Sequence, residues 1–263
     1  MTFLIKYAIS SMKGLNLSNL KLGGNKLEKK VIHVKVAIDQ EFENSFWSYD
    51  IQKELKKAFR EFKRQFGVKL RITEFEEWNS IGSPFLRDSP LNIVRGLPKG
   101  SSEEELIENL IKAVNKRTEL PLEISQEVKE KLKRVLRRKS RAYRFGYLVG
   151  YLDYRLKGYL LEDLARKIQR GQDEMIIGFT GKIFPHEYRI LAGVASQDCA
   201  LIGICNNPSN VILHEIGHVF GAKDVEDKSI RSVMNIEHTE PIYEFDEKNK
   251  EIISKNLGAK FKS

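Results

Sequence analysis

Residues 214–224 read His-Glu-Ile-Gly-His-Val-Phe-Gly-Ala-Lys-Asp. On a helix, positions i and i+4 lie one turn apart on the same face, so His214 and His218 can present two imidazole nitrogens to a single cation. Glu215 stands beside them, within reach of a water at that cation and not needed as a ligand. A helix supplies only two ligands, whereas catalytic zinc usually takes three from the protein. Gly221 lets the chain leave the helix through a left-handed turn, and three residues later Asp224 brings a carboxylate to the third position. Asp227 and His238 are the alternatives for that position. The chemistry of such a set is hydrolysis. A single catalytic Zn2+ lowers the pKa of its water and polarises a carbonyl, while Glu215 accepts the water's proton and hands it to the leaving group.

These residues need a helix to carry them, and the sequence provides one from about Ser209 to Phe220. Val211, Ile212, Ile216, Val219 and Phe220 can anchor it in a core while the ligands face a cleft. Upstream, Val31–Ile38 is rich in β-branched residues and reads as a strand. Trp47, Ile51, Leu55, Ala58, Phe59, Phe62 and Phe66 recur at helical spacing, and Gly67 closes that helix. Val68–Phe75 alternates and reads as a second strand, so the chain opens with a βαβ unit whose strands are parallel. Residues 79–102 are rich in Gly and Pro. Helical patterns begin at Ser101 or Ser102 and again after Pro121, the latter running to about Arg170 with breaks expected near Gly146, Gly150 and Gly158. Strand signals return at Glu174–Phe179, Tyr188–Ala195 and Cys199–Ile204. A last helix, Phe245–Asn256, starts from Asp246 as N-cap. The fold class is α/β with a mainly helical insertion over residues 101–171.

The 214–224 segment resembles the metzincin zinc peptidases, whose extended motif is H-E-x-x-H-x-x-G-x-x-H, or the same with Asp last in snapalysin-like members. Ser232-Val233-Met234-Asn235 is similar to the family's methionine turn, with Met234 ten residues after Asp224. Asp173–Lys182 resembles the strand before the substrate cleft, Ile190–Ser196 the antiparallel edge strand along which substrates lie, and Phe245-Asp246 the start of the C-terminal helix. The resemblance covers about residues 173–257. It implies one catalytic domain over residues 1–263, with a twisted mixed five-stranded sheet, an active-site helix, a Met-turn and a C-terminal helix. It also implies a zinc-dependent endopeptidase acting on a peptide or protein substrate, with Gly221 and Met234 supporting the site. The third ligand departs from the commoner His.

Composition narrows the field less sharply. The chain has 263 residues, 41% of them hydrophobic, and a formal charge of +9. That is an ordinary globular composition, without an apolar run near the ~20 residues a transmembrane helix needs. Met1–Ser11, with one lysine, a short apolar patch and no convincing small-residue cleavage site, is a weak signal-peptide candidate at best, so the expectation is a cytoplasmic protein. Basicity concentrates in one stretch: between Glu127 and Arg144, nine Lys or Arg against two Glu leave +7. Nucleic acid or another polyanion is the partner such a run offers, and a basic binding protein with a structural zinc is the competing function. Val128, Leu132, Val135 and Leu136 favour the plainer reading, a solvated helix face over an apolar stripe. The stripe Tyr143, Tyr147, Tyr151 and Tyr154 is likewise expected to pack a core. An inactive relative of the peptidases is a third reading. His33 is expected to be structural and His186 a surface residue. Cys199 and Cys205 are expected as buried free thiols in preference to a local disulfide.

Overall fold

The computed structural model describes residues 30–44, 49–80, 94–96, 102–115, 124–138, 141–171, 174–181, 192–235 and 240–260. Trp47, His186, His238 and the proposed strand start at 188–191 lie outside them. Among the described residues the chain is α/β, with seven helices and a mixed five-stranded sheet. It divides into two compact units, one of residues 1–80 and 161–263, the other of residues 81–160.

The first unit begins with β1 (Val31–Asp39) and a short α1 (Gln40–Glu43). Helix α2 (Ile51–Phe66) then leads into β2 (Lys69–Trp78), which pairs with β1 in parallel, as the βαβ pattern requires. Asp50 caps α2 by accepting from Lys53 N at 3.0 Å, and Gly67 closes it at φ 68°. After the second unit the chain returns through β3 (Glu174–Phe179), β4 (Gly193–Ser196) and β5 (Cys199–Ile202). The strand order is β2-β1-β3-β5-β4, parallel throughout except that β4 runs against β5. Among the described residues the short antiparallel β4 thus ends the sheet. Strands β1, β3 and β5 are central; β3 and β5 are buried almost throughout, whereas β1 alternates up to Val36, with His33 and Lys35 on its partly exposed face.

Asp39 ties the ends of three strands. Its carboxylate accepts from Phe42 N (2.6 Å), Gly181 N (3.0 Å), Ser80 Oγ (3.0 Å) and the Thr180 hydroxyl. Four donors offset the cost of burying the charge. Two further helices complete this unit, Pro208–Val219 and Glu247–Lys260. In the second unit α3 (Glu103–Asn115) starts with a reciprocal capping box between Ser102 and Glu105. Helix α4 (Gln126–Arg138) buries Leu132 and Leu136, whereas Lys131, Arg134 and Arg137 are exposed and Lys133 pairs with Glu104.

Helix α5 (Arg141–Lys167) corrects the sequence reading, because it runs unbroken through Gly146, Gly150 and Gly158. A mid-helix glycine costs only about 1 kcal/mol relative to alanine. Burial of Leu148, Leu152, Leu160 and Leu164 along the same helix exceeds that. Tyr147 and Tyr151 pack against the second unit's core, but Tyr154 is 68% exposed and departs from the expected stripe. No helix among the described residues is long and apolar enough to cross a membrane.

Cys199 and Cys205 are both free and buried. Burial pushes each thiol up to about 12, so at pH 8 about one in ten thousand is ionised. A thiol-reactive disulfide reagent should therefore give almost no signal with native protein at pH 8, and two equivalents once guanidinium unfolds it. A fast native reaction would show that these thiols are not shielded.

Candidate metal centre

The candidate residues gather around helix α6 (Pro208–Val219), which helix α7 (Glu247–Lys260) follows in the chain. Pro208 opens α6, where its missing N–H costs nothing. The Glu54 carboxylate of α2 accepts from Ser209 N at 3.2 Å, at the positive end of the helix. Ile212, Leu213 and Ile216 are fully buried, which sets the rotation of the helix. At its other end Gly221 adopts φ 82°. Gly221 N donates to His218 O and Ala222 N to Gly217 O, the paired bonds of a Schellman motif. The chain then reverses over its own last turn and carries Asp224 back toward the histidines.

Three atoms converge there. His214 Nε2 and His218 Nε2 are 3.0 Å apart, and Asp224 Oδ1 lies 3.3 Å from the first and 3.2 Å from the second. Ligand atoms arranged tetrahedrally about a zinc ion at ordinary bond lengths stand about 3.3 Å apart. The three separations fit one face of that tetrahedron. Each ring's other nitrogen is engaged: His214 Nδ1 donates to Val233 O (2.8 Å) and His218 Nδ1 to Ala222 O (2.9 Å). With Nδ1 carrying the proton, the neutral ring keeps its Nε2 lone pair for a cation, whereas a protonated ring donates from Nε2 to Asp224 instead.

The electrostatics favour positive charge at that point. Burial alone would lower the His218 pKa. The Asp224 hydrogen bond, the Glu215 charge and the Ala222 carbonyl outweigh it and raise the value to about 9. Hydrogen bonds from His214 and His218 hold the Asp224 carboxyl well below the usual carboxylate range, against its partial burial. Of the alternatives for the third position, Asp227 is exposed and accepts instead from Ser229 N (2.9 Å) and Ser229 Oγ (2.7 Å). Among the described residues, His214, His218 and Asp224 are the His, Cys, Asp and Glu side chains placed to share one metal ion.

No family model and no curated protein matches the chain. It is similar to a solved structure described as a chaperone–substrate complex, at 10% identity over 89% of this chain. That likeness covers 35% of the other chain, so this chain spans about a third of its length, and the TM-score is 0.40. At that score it carries no argument for fold or function.

Met234 is fully buried under α6. A Cβ added to Gly217 would stand 2.8 Å from Met234 Sδ and 2.6 Å from Phe245 Cε1, so the glycine lets both press against the helix behind the histidines. The turn also reaches the ligands through its backbone. Val233 O accepts from His214 Nδ1 and Met234 O accepts from Val225 N, the residue after Asp224.

Glu215 is 2% exposed and lies against β4. A Cβ at Gly193 would come within 2.5 Å of Glu215 Oε1, 2.7 Å of its Cγ and 2.8 Å of its Cδ. The carboxylate occupies the space that any other residue at 193 would fill. Sequence reasoning placed Gly193 on the edge strand without giving it a part. The available signal was a glycine inside a strand, which marks a close approach of another group.

Proposed function

We propose that this chain is a zinc-dependent endopeptidase of the metzincin type, with His214, His218 and Asp224 holding the ion and Glu215 as general base. The observation that carries the reading is the convergence of three ligand atoms at 3.0–3.3 Å, beside a buried glutamate. The motif at 214–224, the turn at Met234 and an antiparallel strand ending the sheet support the family assignment.

A bound zinc supplies a Lewis acid that polarises the scissile carbonyl and acidifies a water. The chain does the rest. Glu215 takes the proton of the attacking water and returns it to the leaving amine, and its burial keeps competing bulk water away. Strand β4 offers its outer edge to an extended peptide by strand addition, which brings a backbone carbonyl past Glu215. Gly193 sets how closely strand and base approach each other.

The test pairs zinc quantification with a peptide-cleavage screen. About one zinc per chain is expected, with cleavage abolished by a chelator and restored by added zinc. Absence of zinc after reconstitution would overturn the reading.

Gly193→Ala should lower kcat about a hundredfold with zinc content unchanged. The new methyl must displace the Glu215 carboxylate by most of an ångström, and misplacement on that scale costs about 10²-fold. Steady-state kinetics alongside metal analysis checks it, and an unchanged kcat would show that the base does not need the space.

A further inference from the structure

We infer that Asn249 is the positioning residue for the third ligand, an inference that rests on the zinc reading above. Asp224 lies outside regular structure and its side chain is 47% exposed, so local packing does not hold it. The backbone on either side does. After it, Val225 N donates to Met234 O at 2.9 Å. Before it, the Asn249 side chain grips Lys223 twice: Oδ1 accepts from Lys223 N at 2.8 Å and Nδ2 donates to Lys223 O at 2.9 Å. Lys223 O belongs to the peptide unit that leads into Asp224, so this second bond sets the plane from which the ligand departs.

Asn249 has little freedom to do otherwise. It is 2% exposed. Its Nδ2 also donates to Asp246 Oδ2 (2.8 Å), and its backbone N–H to Asp246 Oδ1 (3.1 Å) in the first turn of α7. One amide orientation satisfies the whole set, with oxygen toward the Lys223 N–H and nitrogen between two oxygens. Ile253 and Leu257 anchor the same helix in the core. The third ligand, read from sequence as a local matter of spacing, is held by a helix 25 residues downstream.

The test compares Asn249→Ala with Ile253→Val, which loosens the same helix without touching Lys223. Zinc affinity by chelator competition and the visible spectrum of the cobalt-substituted protein are read well below each variant's Tm. Asn249→Ala should weaken zinc about tenfold to a hundredfold and alter the cobalt bands, while Ile253→Val leaves both near wild type. Equal affinity and spectrum in Asn249→Ala and wild type overturn the clamp alone. Equal weakening in both variants reduces Asn249 to a folding residue and overturns it too. A wild type that binds neither metal removes the zinc reading along with it. Should Asn249→Ala not fold, amide exchange of wild type decides: a slowly exchanging Lys223 N–H supports the clamp, and a rapidly exchanging one refutes it.

Discussion

Glu215→Gln should reduce peptide hydrolysis by about a thousandfold or more while leaving zinc bound. Removing a positioned general base typically costs 10²–10⁴-fold, and here a single carboxylate would serve both proton transfers. The amide has nearly the same shape, so the space against Gly193 stays filled. It is also neutral, and a neutral group is cheaper to keep at 2% exposure than a carboxylate. Thermal stability should therefore hold or rise. That combination, activity lost with metal and fold retained, separates a base from a ligand and from a structural residue. Hydrolysis at the wild-type rate would sink the assignment. Loss of zinc would instead make Glu215 a ligand. No measurable cleavage by wild type in a broad screen would favour an inactive relative or a basic zinc-stabilised binding protein.

What was legible in the sequence is what depends on near neighbours. His214 and His218 are four residues apart on a helix whose apolar positions are also local, so their shared face follows from helix periodicity. Gly221 at φ 82°, Gly67 at φ 68° and the Asp246 cap belong to the same class of short-range signal. The choice of Asp224 over Asp227 was only half legible. Spacing admits both, and the decision lies in the Schellman turn, Met234 O and Asn249, the last two supplied from elsewhere in the chain. Gly193 was placed on its strand but its closeness to Glu215 was not, because a β4–α6 contact leaves no periodic trace. The helix breaks expected at Gly150 and Gly158 erred in the opposite direction. A local propensity was given weight that the tertiary burial of Leu148, Leu152, Leu160 and Leu164 overrides.

Removing a ligand should cost more than removing its support. His214→Ala and Asp224→Ala should each release zinc on dialysis, with affinity falling beyond the tenfold to hundredfold expected of a supporting residue. Two protein donors remain in each variant, one short of what a catalytic zinc usually takes. The two losses should differ in their side effects. His214 is buried and its Nδ1 proton satisfies Val233 O, so alanine there leaves a cavity and a deprived carbonyl and should lower Tm as well. Asp224 is about half exposed, so its replacement should drop the metal with little effect on the apo fold. Asp227→Ala should do neither, because that carboxylate is spent on Ser229. Metal analysis and thermal unfolding of the three variants thus give three distinct signatures. Zinc kept by Asp224→Ala but lost by Asp227→Ala would move the third ligand three residues along the chain. Retention by both would leave His238 to be tested by the same substitution.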